Sequence, residues 1–174
     1  MKLKLIAAAI PALFMVSSAF AVEGESSTVN FIGNIVEDTC VLDAGSQDQT
    51  VQLGDVSVSS FSGTGTVSQG TAFTIGLESC NPALAQTAAI VFSGETVGTE
   101  GDALATSGFE TTNVGIQLQQ DGAPLMLDGS ASSVPQTLEA GTNTLNFTAH
   151  YIAMADTVAA GEANGVANFT VNYE

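Results

Sequence analysis

Apolar side chains recur at every second position along several short stretches of this chain, and that alternation constrains its fold more than any other feature. On a β-strand, alternate residues face the same side, so the pattern predicts short strands that each bury one face. The clearest alternations are Phe73/Ile75/Leu77, Val114/Ile116/Leu118, Leu145/Phe147/Ala149/Tyr151 and Phe169/Val171/Tyr173. Short strands at this spacing, with turn residues between them, predict an all-β sandwich.

Three further stretches refine this prediction. The continuous apolar run from Ala88 to Phe92 is typical of a strand that is buried on both faces. Gly, Ser and Thr dominate residues 57–70, and small residues are frequent in 156–165, so both stretches are expected to be loops. We expect no long helix beyond residue 21.

Residues 1–21 have the features of a secretory signal peptide. Lys2 and Lys4 precede an apolar run over residues 5–16, and a small-residue cleavage site ends at Ala21. A membrane anchor is the alternative, but this run is shorter than the roughly 20 residues that a membrane span needs. We therefore expect export, cleavage after Ala21, and no membrane insertion of the mature chain.

Charge is distributed very unevenly between the two parts. Both Lys residues lie within the signal peptide, there is no Arg, and all 18 acidic residues lie beyond Ala21. Nucleic-acid binding is therefore excluded, because contacts to phosphates need cationic side chains. Binding to an anionic membrane surface is disfavoured for the same reason. Any self-association must use backbone hydrogen bonds and apolar contacts against the repulsion between carboxylates.

The chain has two cysteines, Cys40 and Cys80. In an oxidising compartment two cysteines allow one disulfide, and closing a loop of this size contributes roughly 4 kcal/mol in the chain-entropy model. Two free thiols or half of a metal site are the alternatives. The metal site is disfavoured because His150 is the only histidine that could complete a zinc site.

The last alternating segment, residues 168–174, is apolar up to its penultimate residue. A strand of this kind is expected to need a partner on its open edge, because exposed edges promote aggregation. A second alternating segment, residues 28–36, lies before Cys40 and follows a polar lead. One economical arrangement is that the first segment of one molecule covers the last strand of another.

In their order and spacing, these residues resemble the pilins of chaperone–usher fimbriae, most closely the type 1 major fimbrial subunit. Each short piece is weak alone, but together they cover essentially the whole mature chain. The pieces are Thr28–Val36 followed by Cys40, residues 48–54, Cys80 after Ile75-Gly76-Leu77, residues 112–118, 127–129 and 141–145, penultimate Tyr173, and Gly161 fourteenth from the end. Relatives usually carry a few Lys or Arg residues in the mature chain, and this chain departs from that pattern.

The resemblance implies an incomplete immunoglobulin-like sandwich that lacks its last strand and is completed by donor-strand exchange. It divides the chain into a signal peptide (1–21), an N-terminal donor-strand extension (22–37) and a pilin domain (38–174). The implied donor residues are Val29, Phe31, Gly33 and Ile35. The implied acceptor groove and chaperone contacts are Gly161, Phe169, Val171, Tyr173 and Glu174, the last through its carboxylate.

The same resemblance implies a structural subunit of a fimbrium on the bacterial cell surface, exported through the periplasm. Its partners would be other copies of itself and other pilins, a periplasmic chaperone and an outer-membrane usher.

Other functions fit these residues less well. No nucleophile pair or phosphate-binding loop is present, so we expect neither an enzyme nor a cofactor. Calcium could bind near residues 95–102, but their spacing matches no standard loop. The remaining alternatives are a secreted lectin-like adhesive module, for which the absence of Trp is unfavourable, and a minor linker or terminator pilin.

Overall fold

The computed structural model of the protein describes residues 27–33 and 39–174. The chain divides into two compact units, Met1–Ile35 and Val36–Glu174. In the first unit the described residues form neither helix nor strand. The predicted signal peptide lies outside the described residues, as does Ile35 with much of the predicted extension 22–37.

The regular secondary structure of the second unit consists almost entirely of antiparallel strands. The four-residue helix α1, Phe109–Thr112, and two single 3-10 turns, Ala44–Ser46 and Val58–Ser60, are the helical elements of the described part. The strands are β1 Val41–Leu42, β2 Thr71–Cys80, β3 Thr87–Ser93, β4 Val114–Gln120, β5 Ala123–Pro124, β6 Gln136–Thr137, β7 Gly141–Ala153 and β8 Asn168–Tyr173.

These strands form two sheets. The larger has the order β1-β2-β7-β4-β5 and the smaller has the order β6-β3-β8. The predicted all-β sandwich is therefore confirmed, and the four clearest alternations lie within β2, β4, β7 and β8. The alternating segment 28–36 forms no strand in its described residues, 28–33. The run Ala88 to Phe92 lies in β3, and within this run every residue except half-buried Val91 is buried. The stretches 57–70 and 156–165 contain no strand.

The core lies between the two sheets because the inward side chains of each alternation meet there. Ile75 and Leu77 of β2, Ile90 of β3 and Leu145 of β7 are almost completely shielded from solvent. Phe92 packs against Phe147 with ring centroids 5.2 Å apart. Burial of such side chains is worth roughly 1.5–3 kcal/mol each and supplies the main driving force for this fold.

A disulfide joins Cys40, just before β1, to Cys80 at the end of β2. The predicted pairing is confirmed. Near it, the register between β2 and β7 shifts between Leu77 and Cys80. Ser79 accommodates the shift with a positive φ of 53°. The bond thus ties the residue before the edge strand β1 to the end of its neighbour β2.

One side of the sandwich is closed by the segment between β3 and β4. Leu104 exchanges two backbone hydrogen bonds with Ile116 of β4, at N···O distances of 2.8 and 3.1 Å. Near β3, the Gly94 N–H donates to the Leu127 carbonyl oxygen at 2.8 Å. This segment therefore gives β4 a further backbone partner at Ile116, whereas β8 pairs with β3 alone among the described strands.

Candidate functional site

The outer edge of β8 is the main open edge of the smaller sheet. Glu174 and Thr87 exchange two backbone hydrogen bonds, with N···O distances of 3.1 and 2.8 Å. In an antiparallel ladder the bonded pairs alternate, so Thr170 and Asn172 also direct their backbone groups toward β3. The N–H and C=O groups of Phe169 and Val171 then point to the opposite edge, where no described strand pairs with them.

The side chains of β8 alternate in the same way. Phe169, Val171 and Tyr173 are half-buried, while the residues between them are exposed. Phe169 packs on Phe92 of the core at a centroid distance of 6.3 Å. Apolar strand residues that are only half covered mark the place where the core of this sandwich is open.

A groove of about 1350 Å³ runs beside this edge. We call it the β8 groove. Its floor consists of apolar core side chains contributed by β2, β3, β4, β7 and Leu104. These floor residues are Phe73, Ile75, Phe92, Leu104, Val114, Ile116, Leu118, Ala149 and Tyr151. Its two sides are residues 47–56, the first rim, and residues 158–167, the second rim.

The first rim resembles a strand that has no partner. Its apolar residues Val51, Leu53 and Val56 are half-buried, and the polar residues among them are exposed. Between residues 49 and 56 the backbone makes no hydrogen bond to any other described residue. Backbone N–H and C=O groups in native structures are usually hydrogen-bonded. This rim and the edge of β8 are therefore two backbone edges that face one groove and are available for pairing.

The second rim is held close to α1 and β4. The Ala159 N–H donates to the Thr112 carbonyl oxygen at 3.0 Å, and the Ser107 N–H donates to the Asn164 carbonyl oxygen at 2.7 Å. Gly161 lies in this rim, where a Cβ atom would come within 2.8 Å of Thr112 Cγ2. The close packing therefore requires a residue without a side chain.

Glu174 follows β8 and lies at the end of the same edge. Its main-chain oxygen accepts hydrogen bonds from the N–H groups of Gln86 and Thr87, at 2.7 and 2.8 Å. Of the predicted acceptor residues, Gly161 and Phe169 line the β8 groove, while Val171, Tyr173 and Glu174 continue along the edge of the strand.

Three of the four predicted donor residues are among those described. Val29 is 71% exposed and Phe31 is 93% exposed. A Cβ atom at Gly33 would have no neighbour within 4 Å. The alternation places Ile32 on the opposite face from Phe31, and Ile32 is similarly exposed, at 97%. The fourth residue, Ile35, lies outside the described residues.

All the charged side chains that line the groove are carboxylates. Asp48 and Asp55 on the first rim and Glu162 on the second are exposed and line the groove. Burial raises the pKa of the Tyr151 hydroxyl on the floor, and the negative charge of Asp55 raises that pKa further.

No group of three metal-ligating side chains occurs within residues 27–33 and 39–174. In that part of the chain, no helix is long and apolar enough to cross a membrane.

The first rim is the part of the site that the sequence patterns did not reveal. The available signal was the spacing of Val51, Leu53 and Val56, which is interrupted by Gly54 and Asp55. The covering role of Leu104 was not foreseen either, because a single bridge leaves no periodic pattern.

Comparison with known proteins gives consistent matches. A family model described as fimbrial protein matches residues 29–174. A type 1 fimbrial subunit of Klebsiella pneumoniae is 40% identical, and the type 1 fimbrial protein A chain of Escherichia coli K12 is 39% identical, each over the full length of both chains.

Among solved structures, the P pilus rod subunit PapA is 28% identical, with a TM-score of 0.69, and the match covers 79% of this chain and all of that one. A subunit from a chaperone–usher pilus structure has the same identity and TM-score and covers 90% of this chain and all of its own.

Proposed function

Because this chain belongs to the fimbrial protein family, we propose that a strand from a neighbouring subunit completes its sandwich. The chain is a structural pilin that polymerises with other pilins into a pilus fibre at the cell surface. The observation that carries the donor-strand proposal is the β8 groove, which lies between two backbone edges without strand partners and has an apolar floor.

In this proposal, the extension 22–37 of one subunit carries the donor strand, at about residues 27–36, and residues 38–174 of the next subunit are the acceptor. Residues 1–21 are removed during export. A nine-residue strand rises about 3.3 Å per residue, so it would extend roughly 30 Å along the groove. Its backbone would pair with Phe169 and Val171 on one side and with the first rim on the other.

The donor would bury one face. Val29, Phe31 and Ile35 would lie on the groove floor, and Gly33 would occupy the shallowest point. The exposure of Phe31 supports this role, because moving a large aromatic side chain from solvent onto a partner's apolar surface lowers the free energy most. Each buried side chain contributes roughly 1.5–3 kcal/mol, and each net hydrogen bond about 1 kcal/mol.

Before assembly the same edge would be covered by a periplasmic chaperone and then passed to an outer-membrane usher. Val171 and Tyr173 would pair with the chaperone's strand, and basic residues of the chaperone would bind the carboxylate of Glu174. The family consists of structural subunits, and we propose no catalytic role and no cofactor for this chain.

The decisive experiment compares mature chains on unheated SDS gels. We expect residues 22–174 to give a ladder of multimers on the unheated gel, because each joint is held by a complete donated strand. The ladder should collapse to monomer on boiling. A chain starting at Asp38 should give monomer, because it has no strand to donate. A monomer band from both chains, each folded by circular dichroism, would contradict donor-strand polymerisation.

Two neighbouring residues provide a matched pair of variants. Phe31→Asp should leave the subunit able to receive a strand but unable to donate one, so adding it to wild type should shorten the ladder. Ile32→Asp introduces the same charge at an equally exposed position on the opposite face, and it should leave the ladder unchanged. Equal effects of both variants would contradict the assigned donor face.

A further inference from the structure

Carboxylates occupy both rims of the β8 groove. Asp48 and Asp55 lie on the first rim and Glu162 on the second, and all three are exposed. A strand that enters the groove must pass between them. The field of Asp55 reaches the floor, since it contributes to the raised pKa of Tyr151.

No basic side chain near the groove offsets these charges. The sequence contains neither Lys nor Arg beyond residue 4. The single histidine, His150, does not line the groove, and its Nδ1 atom lies 2.9 Å from the carbonyl oxygen of Ser68. Salt bridges from Lys or Arg therefore cannot form across a joint between two copies of this mature chain.

The proposed donor segment is flanked by acids as well. Glu23 and Glu25 precede its apolar residues, and Glu37 and Asp38 follow them. Each end of an entering strand would thus bring two carboxylates toward a groove that already carries three. Exposed like charges repel over about one Debye length, which is roughly 30 Å at 0.01 M salt and 3 Å at 1 M.

We propose that ionic strength controls how fast this groove accepts the donor segment of a second copy, through repulsion between the rim carboxylates and the acids that flank the donor. This inference rests on the proposed function. At low salt the approach of the segment is slowed, and added salt removes the barrier by screening. The apolar contacts and backbone bonds that hold the completed joint are affected much less, because they form at short range.

The test measures association with labelled peptides. The acceptor is the mature chain carrying Phe31→Asp, so that its groove is not filled by other copies. The donor is a capped, fluorescein-labelled peptide of residues 22–38, compared with a peptide in which Glu23, Glu25 and Glu37 are Gln and Asp38 is Asn. Fluorescence anisotropy gives the association rate constant at 20 and 500 mM NaCl.

We expect the rate constant of the acidic peptide to rise about tenfold between the two salt concentrations, at the lower end of the range known for electrostatic effects on association. The neutral peptide should change less than twofold, and it reports any general strengthening of apolar contacts by salt. An equal response of both peptides, or a fall for the acidic one, would overturn the inference while leaving the groove as the binding site. Failure of both peptides to bind at any salt concentration would overturn the donor-strand proposal together with it.

Acceptor variants test the contribution of the rims. Removing the three rim charges, by Asp48→Asn, Asp55→Asn and Glu162→Gln, should reduce the salt response of the acidic peptide by at least half. Asn is chosen at position 48 because it tolerates the positive φ of 49° found there. The control removes three exposed charges that do not line the groove, by Glu78→Gln, Glu100→Gln and Glu139→Gln. Equal effects of the two triple variants would overturn the assignment to the rims.

Discussion

Gly161 shows how a single small residue shapes the groove. The second rim passes over Thr112, and any side chain at Gly161 would meet the Thr112 methyl group at 2.8 Å. Thr112 cannot move freely, because it is buried and its Oγ1 accepts a hydrogen bond from the Val114 N–H at 3.3 Å. The glycine therefore allows the rim to lie close to α1 and keeps the groove open beside it.

Gly161→Ala should destabilise the folded chain by about 1–3 kcal/mol, the usual cost of forcing extra atoms into a packed site. Thr112→Ser removes the opposing methyl group and keeps the hydroxyl. In the double variant, most of the cost of the alanine should therefore disappear. Urea-induced unfolding of the four proteins measures this coupling. Strictly additive effects would contradict the contact as the reason for glycine.

At the level of elements, β8 and the first rim form a pair with a gap between them. β8 offers backbone groups and half-buried apolar side chains on its free edge, and the first rim offers backbone groups without partners. The segment around Leu104 pairs with Ile116 of β4 through two backbone hydrogen bonds. The chain thus supplies its own backbone partner for β4, whereas in the proposed arrangement the free edge of β8 is paired by a second molecule.

The two faces of β8 should respond differently to substitution. Val171→Ser removes apolar surface from the inner face and should weaken binding of the 22–38 peptide by about 5- to 30-fold, corresponding to roughly 1–2 kcal/mol. Thr170→Ala alters the exposed face and should leave the affinity within about twofold. Anisotropy titrations of both variants, with circular dichroism to verify folding, measure the difference. A larger loss of affinity for Thr170→Ala than for Val171→Ser would show that Thr170, and not Val171, faces the groove.

For the whole molecule, an open groove beside the core makes the covalent link between Cys40 and Cys80 important. The bond closes a loop across a sequence separation of 40 residues. It restricts the unfolded chain and so compensates for apolar surface that the folded acceptor leaves half covered. The stability of the chain before assembly should therefore depend strongly on this bond.

Replacing both cysteines by alanine should lower the free energy of unfolding by roughly 4 kcal/mol, as expected for a loop of this length. The urea midpoint of the mature chain carrying Phe31→Asp, with and without the two alanines, measures the loss. Adding the donor peptide should recover part of it, because ligands that bind only the folded state stabilise that state. An unchanged midpoint would contradict a stabilising role for the bond.

Sequence periodicity was sufficient for the strands that bury one regular face. The spacing of Phe73, Ile75 and Leu77 predicted β2, and the same reasoning gave β4, β7 and β8. Periodicity was insufficient where the place of a segment is set by its contacts with distant parts of the chain. Leu104 covers β4 through one bridge, and the first rim has strand-like burial without a strand's hydrogen bonds, so neither leaves a clear repeating signal. The roles of Val29, Phe31 and Gly33 remain predictions, because they concern a second molecule.

The loops of this sandwich also bear on how the fibre would survive digestion. Residues 57–70 and 156–165 are largely exposed and contain no strand, and such segments are where proteases usually cut first. Trypsin-like proteases cleave after Lys or Arg, and neither residue occurs beyond position 4. Such enzymes therefore find no cleavable bond in the sandwich, whether it is folded, partly open or fully unfolded. Its degradation is left to proteases that recognise apolar or acidic residues.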